Sequence, residues 1–494
     1  MRESGILMHI TSLPGPFGVG TLGGEARAFV DFLHRAGQSC WQLLPVNPTG
    51  YGNSPYQASS TFAGNPYLVD PAALAREGLL TEEELSQAKQ PEGDRVDFGW
   101  LYRTRTALLG KAFARFVPDG EYRRFCASAG SWLPDFALYQ ALKDRSGGKA
   151  WYQWEDPLKH RDPEAVWQAR QELSEEIRLH SFIQFQFFRQ WEALRGYARE
   201  KGIRLIGDLP IYVPLDSVDV WTDPELFQLD ERLNPTAVAG VPPDGFTEDG
   251  QLWGNPLYRW DVMERDGFRW WLRRLEAAGE RFDCVRFDHF RGLASYWAVP
   301  WGDKTARNGK WVKGPRIKLV EAVKKALPEL DIIAEDLGYL TPEVLALRDA
   351  SGWPGMKVLQ FAFDSREPSD YLPHSYTPDS VCYTGTHDNL TLRQWFDTAS
   401  PEAVEYAREY MGLTAAEGDV RGTVRTAMAS VSSLCVIPMA DWLGLGEAAR
   451  MNFPGTLSDS NWTWRLKDDI MSDNLADGIR RVTALYGRTE NKQR

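Results

Sequence analysis

Two hydrophobic rhythms alternate along this chain: short runs rich in β-branched and aromatic residues, and longer stretches whose apolar positions recur at helical spacing. That alternation predicts strands separated by helices. The first strand is expected over 5–10, followed by the turn Leu13-Pro14-Gly15-Pro16, a helix over 25–36 and a second strand over 40–45. Strand, helix, strand is the building unit of a parallel sheet. The rhythm then breaks at Tyr51-Gly52-Asn53-Ser54-Pro55-Tyr56-Gln57, and a mostly helical, Trp-rich stretch follows, ending in one long helix over 164–201 with Gly202 as its stop.

The third strand is expected over 203–213, with Asp208 near its end, and a second insertion over 214–262 carries a polar, Gly-rich loop. Long loops without secondary structure of their own are often lids. From there the alternation is regular. A helix over 266–280 leads into a strand beginning at Asp283; further strands are expected over 331–338, 356–363, 381–385 and 433–439, with helices over 315–327, 341–350, 389–412 and 418–430. Eight such strands make an α/β protein, a (β/α)8 TIM barrel with largely helical insertions after strands two and three. The expected division is 1–50 (strands one and two), 51–199 (helical lobe), 200–213 (strand three), 214–262 (second insertion, with an active-site loop at 241–255) and 263–494 (strands four to eight and the C-terminal segment).

In Asp283-Cys284-Val285-Arg286-Phe287-Asp288-His289-Phe290-Arg291-Gly292 an apolar run ends in charge. Side chains two apart on a strand share a face, so Arg286 and Asp288 point one way and Val285 and Phe287 the other. A guanidinium there is expected to lower the Asp288 pKa, leaving an anion able to attack an electrophilic carbon. The bland alternative is a structural ion pair at a strand end. Asp208, Glu335 and Asp388 stand at three other strand ends, on the face where such barrels hold their active sites. Glycosidic bond exchange needs one ionised carboxylate and one with a raised pKa, about 5–5.5 Å apart when configuration is retained. In that scheme Asp288 attacks the anomeric carbon, Glu335 protonates the departing oxygen and later deprotonates the incoming hydroxyl, and Asp388 holds sugar hydroxyls. Alternatively Glu335 caps the next helix, His387 is an ordinary strand-end residue and Trp253 only anchors a lid.

Composition narrows the partners. A net charge of −12 argues against nucleic acid or an anionic membrane surface, while 20 Trp, 18 Tyr and 23 Phe suit stacking on sugar rings, although most large aromatics fill cores. Cys40, Cys126, Cys284, Cys382 and Cys435 are scattered without CxxC pairs, the start of the chain has no signal-like stretch, and no apolar run is long enough to span a bilayer, so a cytoplasmic location is expected. The seven histidines show neither HxH nor HExxH spacing, so no metal and no cofactor are expected, and the arginines flanking Asp288 argue against a cation there.

Val285-Arg286-Phe287-Asp288-His289-Phe290-Arg291-Gly292, Ala334-Glu335-Asp336-Leu337-Gly338 and Thr384-Gly385-Thr386-His387-Asp388-Asn389 closely resemble the 4-α-glucanotransferases (amylomaltase or disproportionating enzyme, glycoside hydrolase family 77) of the α-amylase superfamily. The resemblance extends to Thr11-Ser12-Leu13-Pro14-Gly15, Gly52-Asn53-Ser54-Pro55-Tyr56-Gln57, Gly207-Asp208-Leu209-Pro210, Asn452-Phe453-Pro454-Gly455 and Asn461-Trp462-Thr463-Trp464-Arg465. It implies Asp288 as nucleophile, Glu335 as general acid/base and Asp388 as transition-state stabiliser. It further implies substrate contacts for Ser54, Tyr56, Asp208, Arg286, His289, His387 and Asn461, acceptor subsites at Phe246, Gln251 and Trp253, and a second glucan site at Tyr51 and Tyr102. Some members carry an acid after His-Asp-Asn where this chain has Leu390. The implied reaction moves an α-1,4-glucan segment to the 4-hydroxyl of an acceptor glucose or glucan, with α-1,4-glucans and maltooligosaccharides as partners and a monomer or weak homo-oligomer as the working form. An α-glucan hydrolase with a wetter acceptor side, or a catalytically silent glucan-binding protein, are the alternatives.

Overall fold

Alternation along Cys284–Phe287 sorts its side chains between two cores. Val285 and Phe287 are wholly buried among the surrounding helices, where the Phe287 ring stacks on Trp271 at 5.5 Å and on Trp353 at 6.3 Å, while Cys284 belongs to the cluster lining the barrel interior. Arg286 therefore points inward, and Asp288, just past the strand, continues on its side.

The computed structural model describes residues 2–50, 52–91, 93–243, 247–338, 340–364 and 369–489. Its strands are β1 (Glu3–Leu7), β2 (Cys40–Gln42), β3 (Arg204–Leu209), β4 (Ala237–Val241), β5 (Gln251–Pro256), β6 (Cys284–Phe287), β7 (Ser295–Pro300), β8 (Lys310–Lys313), β9 (Ile332–Ala334), β10 (Gly355–Val358), β11 (Ser380–Tyr383) and β12 (Leu434–Pro438). Eight of them, in the order β1-β2-β3-β6-β9-β10-β11-β12, close into a parallel barrel. The fold is the (β/α)8 barrel expected from the sequence. Its strands are shorter than the apolar runs suggest, because those runs continue into turns; Leu359–Phe361, for example, leaves β10 as a 3-10 turn.

Two expected helices are each broken. The 164–201 stretch is two helices, Pro163–Glu172 and Ser174–Glu200, hinged at Leu173, which is itself buried. The 389–412 stretch gives Leu392–Thr398 and Pro401–Met411, because Pro401 cannot continue a helix but suits the first turn of a new one, which Ser400 caps by accepting from Ala403 N at 3.2 Å. The second insertion also differs from expectation. Its polar loop is flanked by β4 and β5, which pair antiparallel and join β7 and β8 in a four-stranded sheet ordered β5-β4-β7-β8. The sequence reading placed no strands over 295–313; they are held by cross-strand pairs such as Trp297 opposite Trp311, whose rings lie 5.1 Å apart. Among the described residues no helix is long and apolar enough to cross a membrane.

Candidate active site

The register between β3 and β6 sets Asp208 opposite Arg286. Arg286 Nη1 donates to both Asp208 oxygens, at 2.8 and 2.7 Å, and to Asp288 Oδ1 at 3.0 Å. Tyr56 OH adds a second donor to Asp208, at 2.8 Å from Oδ2. The Asp208 side chain is fully buried and that of Asp288 is 23% exposed, so of the two acids on this guanidinium only Asp288 reaches the cleft.

The electrostatic expectation for Asp288 is corrected here. Burial pushes its carboxyl up to about 6, despite the pull of Arg286, and the negative charge of Asp208 adds to the rise. The guanidinium does pull the Asp288 pKa down, but the cost of burying the carboxylate is larger, so the net shift is upward.

Glu335 directly follows β9, the neighbour of β6. Its Oε2 accepts from the His289 backbone N–H at 2.6 Å and its Oε1 from that of Leu337 at 3.1 Å. His289 offers that N–H from a left-handed backbone (φ 49°), a conformation costing a non-glycine residue about 1–2 kcal/mol. The turn after Asp288 thus ties the two acids together. Burial pushes Glu335 up to about 8; Asp288 repels its charge as well, against Arg286 and the two N–H donors. Glu335 does not cap the next helix, because Thr341 does, accepting from Val344 N.

Asp388 lies beyond β11. Its Oδ1 accepts from Asn452 Nδ2 at 2.6 Å and its Oδ2 lies 3.3 Å from His387 Nε2, while nearly half of the side chain remains open to the cleft. What burial it has disfavours the charge, yet His387, by the charge it carries when protonated and by hydrogen bond, and Asn452 hold it down at about 2. The His387 ring stacks on Tyr56 at 5.1 Å, and both rings touch Trp462, at 5.9 and 5.8 Å.

The remaining expected residues are distributed unevenly. Trp253, on β5, sets its ring edge-on to His289 at 4.8 Å and donates from Nε1 to Gln251 Oε1 at 3.2 Å, which brings the second insertion to the acid pair. Ser54 accepts from the Tyr56 backbone at 3.3 Å and so shapes the turn carrying Tyr56. Asn461 spends its carboxamide inside its own loop, accepting from Phe453 N and donating to Thr456 O, both at 3.1 Å. Tyr102 stands on the helix Phe98–Arg115, 71% exposed. Tyr51 and Phe246 lie outside the described residues. Among the described residues no group of three or more His, Cys, Asp or Glu is placed to hold a metal ion.

Three site residues escaped the sequence reading. Asn452 and Trp462 lie within segments that carried the resemblance, but 64 and 74 residues after Asp388 nothing local ties them to it. Arg450, donating to Asp388 O at 3.2 Å and to Asn452 O at 2.8 Å, left no signal at all.

Residues 8–471 match the family model described as 4-alpha-glucanotransferase. The chain is 44% identical to the 4-alpha-glucanotransferase of Clostridium butyricum over 98% of this chain and 100% of that protein, and 49% identical to that of Thermus thermophilus over 94% and 95%. Its structure is similar to the amylomaltase of Streptococcus agalactiae in complex with acarbose, with a TM-score of 0.96 and 40% identity over 99% of this chain and 100% of that one.

Proposed function

The chain belongs to the 4-alpha-glucanotransferase family, glycosyltransferases acting on α-glucans, and we propose that its barrel mouth transfers segments of α-1,4-glucans by retaining double displacement. The Asp288 carboxylate attacks the anomeric carbon while the bond to the departing 4-oxygen breaks, and Glu335 gives its proton to that oxygen. The glycosyl ester then reacts with the 4-hydroxyl of an acceptor, whose proton passes to Glu335 as Asp288 leaves. Cyclic products arise when the acceptor is the far end of the bound chain.

The two carboxyl groups differ in the sense these roles require. Glu335, at about 8, keeps its proton near neutrality, whereas Asp288, at about 6, has lost its own. Asp388, held near 2, supplies a permanent negative charge beside the developing oxocarbenium ion. Arg286, Tyr56, His289 and His387 hold the sugar at the cleaved bond, with Trp253 and Gln251 on the acceptor side; Asp208, expected to touch sugar, is fully buried and acts only through Arg286 and Tyr56. Transfer is favoured over hydrolysis when an aromatic acceptor side binds sugar and excludes water. Tyr102 belongs to a separate glucan contact on the helical lobe. Action in the cytoplasm as a monomer or weak homo-oligomer, without nucleic acid or membrane as partner, completes the proposal; the five free cysteines support the compartment.

The test is incubation with maltotriose, following products and total reducing ends. Glucose plus longer maltooligosaccharides at constant reducing ends is the expected result, and Asp288→Asn or Glu335→Gln abolishes it in a folded protein. Reducing ends that rise without longer products identify a hydrolase instead.

A further inference from the structure

Beside His387 lies a small, partly open cavity of about 50 Å³ at the ends of β1, β11 and β12, lined by Met8, His9, Leu44, His387, Asp441 and Arg450 among others. His9 is 96% buried, its carbonyl is fixed by the Ser12 N–H at 3.0 Å, and its Nδ1 is buried with no hydrogen-bond partner in the protein. A neutral imidazole carries one N–H and one lone pair, and leaving a buried one unmatched costs about 1–3 kcal/mol. The cavity is several times the roughly 10–15 Å³ that one water needs.

Two charged groups on its walls are already engaged. Asp441 accepts from Leu392 N at 2.8 Å and from Thr384 Oγ1 at 2.6 Å, and Arg450 donates to the carbonyls of Asn452 and Asp388. The two imidazoles are the wall groups whose ring protons remain to be placed. For His387 Nε2 to donate to Asp388 Oδ2, 3.3 Å away, a neutral His387 must leave Nδ1 unprotonated, and that nitrogen then needs a donor of its own.

We propose that His9 is a positioning residue of the active centre, its ring N–H donating to a cavity water that in turn donates to His387 Nδ1, so that the proton of His387 stays on Nε2 and faces Asp388. The chain of donors runs one way, from His9 through water to His387 and on to the carboxylate. Burial, and the charge His387 would carry, push His9 down to about 3, so it stays neutral across the working range and relays polarity without adding a charge. The proposal rests on the assignment of Asp388 made above for its effect on turnover, but the proton position on His387 does not depend on that assignment.

The test is 15N-histidine NMR of the full chain, with the His387 signals identified through His387→Gln, combined with maltotriose kinetics of His9→Phe and His9→Gln. Expected in the wild type is His387 protonated on Nε2 only. His9→Phe shifts that proton toward Nδ1 and lowers kcat about tenfold with KM changed less than about twofold, and His9→Gln, which keeps a donor, restores both. A His387 carrying its proton on Nδ1 in the wild type overturns the proposal even if His9→Phe does not fold. So does a folded His9→Phe with an unchanged spectrum. A folded His9→Phe that shows the spectral change at full turnover leaves the proton relay standing and overturns the role of Asp388 instead.

Discussion

Asp208 and Asp288 compete for a single nitrogen: Arg286 Nη1 lies 2.7 and 2.8 Å from the oxygens of the first and 3.0 Å from the second. Asp208 is the buried partner, also held by Tyr56, and its negative charge adds to the burial that leaves Asp288 ionising only at about 6. Activity is therefore expected to rise with pH through about 6, as Asp288 loses its proton, and to fall through about 8, as Glu335 loses its own. Because the two acids interact, these limbs belong to the pair. Asp208→Asn removes one negative charge and returns the guanidinium to Asp288. It should shift the acid limb of kcat/KM downward by roughly one pH unit. An acid limb that stays in place when kcat/KM is measured across pH 4 to 9 would remove Asp208 from this account.

Glu335 should also leave a mark on stability. Its folded pKa, about 8, exceeds its ordinary 4.5, so the fold binds its proton more tightly than the unfolded chain does. Stability from this group is fully present below about pH 4.5 and is lost as pH rises toward 8, each tenfold step in proton affinity being worth about 1.4 kcal/mol. Glu335→Gln cannot ionise. Its unfolding free energy, measured in urea, should exceed that of the wild type by an amount that grows between pH 5 and pH 8 and then levels off. A pH-independent difference would mean that burial does not disfavour this carboxylate.

How much of this was legible in the sequence follows from the range of the interactions. The barrel could be read because apolar period and element order are local, and Asp208, Asp288, Glu335 and Asp388 could be read because each ends a strand. Breaks at Leu173 and Ser400 were lost inside longer helical patterns, although Pro401 was a visible warning. The β4-β5-β7-β8 sheet was missed because strands β4 and β5 flank a polar Gly-rich loop and β8 is short and charged. Least legible was the balance of charge around Asp288. Arg286 is its sequence neighbour, but Asp208, which outcompetes it, comes from 80 residues earlier and arrives through strand register.

Trp253 connects the second insertion to the chemistry, since its ring edge meets His289, the residue whose N–H holds Glu335. Removing it opens the acceptor side without touching either acid. Trp253→Ala is expected to raise acceptor KM up to about tenfold, the scale of a lost aromatic contact of roughly 0.5–1.5 kcal/mol, and to increase several-fold the share of cleavage events that end in water. The ratio of new reducing ends to bonds transferred, measured on maltotriose, reports that share. An unchanged ratio at raised KM would mean that Trp253 binds sugar but does not exclude water.

Asn452 offers the sharpest separation of geometry from charge. Its Nδ2 lies 2.6 Å from Asp388 Oδ1, and its backbone carbonyl accepts from Arg450, which also grips the Asp388 carbonyl. The Asn452 amide is the neutral donor that, with His387, fixes the Asp388 oxygens. A hydrogen bond to a charged group is worth about 1.5–3 kcal/mol, so Asn452→Ala should lower kcat by roughly ten- to a hundredfold. Asn452→Asp keeps the shape but sets a second carboxylate against the first, which raises the proton affinity of both. The two variants should then part company with pH: the alanine variant stays impaired at every pH, whereas the aspartate variant recovers part of its activity on the acid side, where the shared site holds a proton and the added oxygen can donate. Parallel pH profiles for the two variants would show that Asn452 acts through packing alone, and that the charge of Asp388 is set by His387 without it.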